Sequence, residues 1–91
     1  MKQASVWVFS GEKGAFPSAV FSSLEKAESW IKTNNLSGVL TEYPIDLSAY
    51  DWAIQNGYFK PQKKHQKSPQ FIQRFSDARQ RHFHYEDGLT P

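Results

Sequence analysis

Residues 21–46 read FSSLEKAESWIKTNNLSGVLTEYPID, and this stretch decides the fold. It has the pattern of a strand end, an amphipathic helix, a turn and a second strand. Ser22 and Glu25 stand at the S-x-x-E spacing of a capping box, in which each side chain satisfies an orphan backbone N–H of the first turn. Leu24, Ala27 and Ile31, with Trp30 beside them, recur at helical spacing and form one apolar stripe. Lys26, Glu28, Ser29 and Lys32 fall on the other side. Asn34 and Asn35 tolerate left-handed backbone and can end a helix. Ser37-Gly38 then turns the chain into VLTEYPI, where Val39, Thr41, Tyr43 and Ile45 share one strand face. Pro44 cannot donate a ladder hydrogen bond, which places this strand at a sheet edge or ends it there. Leu24 and Ile31 are expected to face the sheet, together with Val6 or Val8 and Val39.

Outward from that stretch, Ser5 to Phe9 (SVWVF) is apolar on both faces, as in a central strand. Ser10-Gly11-Glu12-Lys13-Gly14 is a turn signal, and Pro17 to Phe21 returns as a second strand, so residues 5–21 read as a hairpin. If Ser5–Phe9 lies between the other two strands, the helix joins two parallel strands across it, and the right-handed crossover rule fixes the sheet face it covers. Ser48 and Asp51 open a second helix that Gly57 closes. Lys60 to Lys67 (KPQKKHQK) is a basic connector without periodicity. Ser68-Pro69 resembles an N-cap and first-turn proline, with Phe71, Ile72 and Phe75 along one side of a short helix. His82 to Glu86 alternates strictly, and Asp87-Gly88 ends that strand. The expected fold class is α+β. It comprises a small, mostly antiparallel sheet of strands near 5–9, 18–22, 38–45 and 80–86, with helices near 23–34, 49–56 and 69–76, all in one domain over residues 1–91.

Ninety-one residues bury about 60–65% of the unfolded chain's surface, enough for one modest core. An aromatic content of 15% compensates for the small size, because each buried ring removes about 150–250 Å² from water. Trp7, Trp30, Trp52, Tyr50 and Tyr58 are therefore read as core. With a cysteine count of zero there is no disulfide framework, thiolate metal site or cysteine nucleophile, in keeping with a reducing compartment. The apolar run VWVF is too short for a signal peptide or a membrane span, so the cytoplasm is the expected location. The net charge of +2 is uneven: residues 1–59 carry −2 and residues 60–91 carry +4. Such asymmetry marks a basic segment suited to an acidic partner.

VWVFSG, FPSAVFSSLEKAESWI, LSGVLTEYPID and YDWAIQNGYF, in that order, resemble the signature of a small bacterial family of unknown function. The resemblance runs from about Val6 to Gly88. It implies a stand-alone α+β domain, and it implies no activity, ligand or catalytic residue. More loosely, the strand–helix–strand portion is similar to many tiny accessory domains of bacteria and phages.

Three constellations bear on chemistry. His82, His84 and Glu86 stand at i, i+2 and i+4, so a strand puts them on one face, with alternate residues about 6.5–7 Å apart. Two histidines and a carboxylate are the ligand set of some iron sites. The simpler reading is the polar face of an amphipathic strand. Lys60, Lys63, Lys64 and Lys67, joined later by Arg79 and Arg81, form the candidate binding set. Without interleaved aromatics these cations attract phosphate but read no base, so nucleic acid is the lesser partner and an acidic protein the greater. Asp51 reads as a helix cap, Gly11 and Gly14 lack the phosphate-loop pattern, and no catalytic residue or cofactor is assigned. The leading reading is a non-enzymatic protein-interaction module. A metal-dependent enzyme on His82, His84 and Glu86, or a weak nucleic-acid binder, stands as the alternative. Phe71, Phe75, Phe83 and Tyr85 must also be buried, so residues 68–86 are expected to dock onto the sheet or the Tyr50–Ile54 helix, or against a second copy.

Overall fold

The structure, a computed structural model, describes residues 4–90. It separates into two compact units, Met1–Ile45 with Gln80–Pro91, and Asp46–Arg79. The first holds a four-stranded antiparallel sheet and one helix. Strand β1 (Ser5–Gly11) pairs with β2 (Ala19–Phe21) on one side and β3 (Gly38–Pro44) on the other. Strand β4 (His82–Tyr85) adds to β3, giving the order β2-β1-β3-β4. The hairpin over residues 5–21 and the central place of β1 are as the sequence implies. Helix α1 (Leu24–Thr33) crosses from β2 to β3, which run parallel to each other on either side of β1.

Three expectations are corrected. The cap of α1 is Ser23, not Ser22: the Ser23 hydroxyl accepts from the Lys26 N–H, so Glu25 does not close a capping box with it. The two adjacent serines are chemically equivalent, and only the first helical residue separates them. Second, β3 is interior rather than an edge, although it does end at Pro44. Third, the sheet face under α1 carries Trp7, Phe9 and Leu40, not Val6, Val8 and Val39. Ala27 and Ile31 are fully buried against them, with Leu24 and Trp30 half-buried beside. Trp30 meets Phe9 edge-on at 5.6 Å between ring centroids. The larger rings take the covered face because they remove more apolar area from water there than valine does. Strand bounds differ by one or two residues from the sequence reading, as fraying ends do.

Both ends of α1 follow from local chemistry. Asn35 takes the left-handed conformation (φ 53°), and the Leu36 and Asn35 N–H groups return to the Ile31 and Lys32 carbonyls as a Schellman motif. Gly38 follows, opposite Gly11 across the β1–β3 ladder. A Cβ at Gly38 would overlap the Ser10 carbonyl oxygen and lie 2.8 Å from the Phe9 ring, so only glycine fits. Gly88 closes the other side of this corner, donating its N–H to the Leu36 carbonyl at 2.8 Å.

Tyr85 ties β4 to α1. Its hydroxyl donates to Glu28 Oε2 at 3.0 Å, and the ring is buried. Burial, then the hydrogen bond to Glu28, then the charge of that carboxylate push the phenol from 10.0 up to about 12. The folded chain thus keeps a proton that the unfolded chain loses. The stability this confers is complete below pH 10 and is lost as the pH rises toward 12. Denaturant midpoints of the wild type are expected to fall across that window, and those of Tyr85→Phe to fall less. Parallel alkaline slopes for the two proteins would remove Tyr85 as the cause.

Candidate binding surface

The Asp46–Arg79 unit is built on Tyr50. Helix α2 (Ala49–Gln55) is capped by Ser48, whose hydroxyl accepts from the Asp51 N–H at 3.0 Å and donates to the Asp51 carboxylate at 2.9 Å. Asp51 is thus a cap partner, as its sequence position suggests. Gly57 (φ 74°) ends the helix in a second Schellman motif. The buried Tyr50 ring meets Phe59, Phe71 and Phe75 edge-on, at 5.7, 6.3 and 5.5 Å between centroids. Phe71 and Phe75 stand one turn apart at helix α3 (Pro69–Arg74), which Ser68 caps and Pro69 opens. This is the docking of the 68–75 segment onto the Tyr50–Ile54 helix that the aromatic pattern demands, while the following strand enters the sheet.

The segment expected to be an irregular connector is organised. Lys64–Lys67 forms a 3-10 turn, preceded by Lys63 in extended backbone. Gln66 holds it from both ends. Its side-chain oxygen accepts from the Gln62 and Lys63 N–H groups at 2.9 and 3.0 Å, and its carbonyl accepts from the Tyr50 hydroxyl at 2.8 Å. The basic turn is therefore fixed to the aromatic cluster by one buried phenol. Sequence reading missed Gln66, because a single glutamine in a polar run carries no periodic signal.

Lys60, Lys63, Lys64 and Lys67 are all exposed, and none makes an ion pair among the described residues. The other two candidate cations are engaged. Arg79 pairs with Asp77 at 3.2 Å and lies over the Tyr58 ring, and Arg81 approaches Glu42 at 3.9 Å and lies over Trp7. Beside the basic turn a cleft of about 570 Å³ is lined by His65, Ser68, Phe71, Arg74, Phe75 and Ser76, among others. The unit's cations, Lys60, Lys63, Lys64, Lys67, Arg74 and Arg79, outnumber its acids, Asp46, Asp51 and Asp77.

In the sheet unit, His82 and His84 stand together on β4, with ring centroids 5.4 Å apart. Glu86 follows the strand, its backbone N–H bonded to the Leu89 carbonyl. It shares a groove of about 430 Å³ with His84 and Glu12. Among the described residues, no three histidine, cysteine, aspartate or glutamate side chains group so as to hold a metal ion.

Fold and surface together define a small α+β protein whose described residues form a four-stranded antiparallel sheet, three α-helices and a basic turn set beside an aromatic cleft. The chain belongs to the family described as Domain of unknown function (DUF7710), whose model matches residues 6–91. No curated protein and no solved structure matches it. Among the described residues, no helix is long and apolar enough to cross a membrane.

Proposed function

We propose that the chain is a non-enzymatic protein-interaction module of the bacterial cytoplasm. Its Asp46–Arg79 unit receives an acidic segment of another protein that carries an apolar or aromatic anchor. One observation carries this reading: Lys64 and Lys67, on a turn held by Gln66 and Tyr50, and Lys60 and Lys63 ahead of it are exposed and make no ion pair among the described residues, and the turn adjoins a cleft walled by Phe71 and Phe75. Lysines set in place lose little further freedom on binding, and an apolar anchor supplies contact area that surface charge alone lacks. Nucleic acid fits less well, because the lysines of KPQKKHQK stand without interleaved aromatic side chains on which successive bases could stack. The metal-enzyme reading has two of its three residues together and, among the described residues, no group of three that could hold a metal ion. We further propose that both units belong to one folding domain over residues 1–91. The family match spans both, and a segment the size of residues 46–79 falls below the roughly 40 residues at which chains usually fold unaided.

The test is selection from a library of random displayed peptides, followed by anisotropy on the winners. Acidic sequences with one aromatic or aliphatic anchor are expected, with affinity that falls as salt rises. A folded K60E/K63E/K64E/K67E variant should bind them about tenfold more weakly or worse, equivalent to about 1.4 kcal/mol. Three outcomes would defeat the reading: no acidic enrichment, undiminished binding by that variant, or tighter binding of a single-stranded oligonucleotide than of any peptide.

A further inference from the structure

The cleft beside the basic turn has a donor set of its own. Arg74 ends α3 and Gln70 stands one turn before it, so the two side chains lie on the same side of the helix. Both line the cleft and both are exposed. Neither side chain has a hydrogen bond or an ion pair among the described residues. Arg79, by contrast, is held by Asp77 and the Tyr58 ring. The Ser68 hydroxyl is also taken, accepting from the Phe71 N–H and donating to the His65 carbonyl. Among the described residues, no carboxylate lines the cleft. An unpaired guanidinium presents a planar fork of N–H donors that fits a carboxylate with two parallel bonds, and a neighbouring amide adds a further donor.

The apolar wall stands on the same turn. Phe71 precedes Arg74 by three residues, a spacing that leaves Cβ atoms about 5–6 Å apart on a helix. A ligand that meets both must carry its anionic group within a few bonds of its apolar group. Neighbouring side chains of an extended segment point to opposite sides, so an acidic residue next to the anchor turns its carboxylate away. The next side chain on the anchor's side lies about 6.5–7 Å along the segment. The last residue of a chain meets the requirement directly, because its side chain and its carboxylate share one Cα. Acidic residues earlier in such a segment remain for Lys60, Lys63, Lys64 and Lys67.

We propose that the cleft takes the carboxy-terminal residue of the partner protein, an aromatic or large aliphatic one. Its side chain lies against Phe71 and Phe75. Its α-carboxylate accepts two N–H bonds from the Arg74 guanidinium and one from the Gln70 amide. The proposal rests on the reading of this unit as the receiver of an acidic, anchored segment, and it names the end of that segment which is held. Arginine is the suited residue at this place, since lysine offers a point charge without the fork.

The test follows NMR shifts of the full-length chain as N-acetylphenylalanine, with its free carboxylate, or the matching carboxamide is added. The acid should move the Arg74 Nε–H, the Gln70 side-chain amide and the Phe71 and Phe75 rings, saturating in the millimolar range expected of so small a ligand. The carboxamide should bind about tenfold more weakly. An R74Q variant with wild-type circular dichroism should bind the two forms alike, and R74K should keep only part of the preference. The K60E/K63E/K64E/K67E variant should still prefer the acid. Equal binding of acid and carboxamide by a chain that selects acidic peptides would remove the terminal site alone. The preference without acidic selection would keep the terminal site and remove the acidic partner. A preference that survives in R74Q, shifts confined to residues outside the cleft, or tighter binding of N-acetylphosphotyrosine carboxamide than of N-acetylphenylalanine would each overturn the proposal.

Discussion

Leu40→Ala is expected to lower the unfolding free energy by about 2–5 kcal/mol, read as a fall in denaturant midpoint at unchanged slope. Leu40 and Ile31 are the largest fully buried side chains, and they lie across the sheet–helix interface from each other in one cluster with Trp7, Phe9 and Tyr85. Truncating either removes apolar contacts and leaves a cavity that a single helix on a short sheet cannot close without moving Phe9 or Trp30. Small domains hold about 5–15 kcal/mol in total, so the loss takes a large fraction of it. Val39→Ala, one residue along the same strand but on the opposite face, should cost distinctly less. Lys26→Ala, on the exposed side of α1, should stay within about 0.5 kcal/mol. Equal midpoints for Leu40→Ala and Val39→Ala would mean that the core face has been assigned to the wrong side of the sheet.

That comparison touches the point where sequence reading divides. Helix α1 was legible because its apolar stripe and its polar side agree with each other over ten residues. The helix ends were legible because Asn35 and Gly57 take conformations that few residues accept. Strand faces were not. VWVF is apolar on both sides, and VLTEYPI alternates in favour of Val39, Thr41 and Tyr43, yet the chain buries Leu40 from the other set. Period-2 alternation identifies two faces without saying which one a helix covers. That choice depends on which face of β1 pairs in register with it, and Trp7 and Phe9 decide the matter by size. For the binding surface, the lysines and the aromatics were each visible as types. Their union was not, because it runs through the Tyr50 hydroxyl and the Gln66 carbonyl, sixteen residues apart. The pairing of His82 with His84 was visible from i, i+2 spacing.

Tyr50→Ala is expected to cost the Asp46–Arg79 unit about 3–5 kcal/mol, the range for deleting a buried ring. The Tyr50 ring touches Phe59, Phe71 and Phe75, and its hydroxyl holds the basic turn. Removing the ring takes the shared neighbour from three phenylalanines at once. Tyr50→Phe separates the two roles. It keeps the ring contacts and loses the bond to Gln66, for about 0.5–1.5 kcal/mol. Amide exchange is the suitable measurement. In the alanine variant, the Asn56 and Tyr58 N–H groups, which bond to the Trp52 and Ala53 carbonyls, should lose protection. In the phenylalanine variant they should keep it, while the Gln66 N–H, bonded to the Lys63 carbonyl, exchanges faster. Acidic-peptide affinity should fall in both variants, because freed lysines must be ordered again at each binding event. If the phenylalanine variant left both Gln66 exchange and peptide affinity unchanged, the hydroxyl would not be what sets the turn in place. The sheet amides carry the remaining information. In the alanine variant, loss of protection at Leu40 and Ile31 in step with Asn56 is what one cooperative domain requires, whereas unchanged protection there would separate the two units thermodynamically.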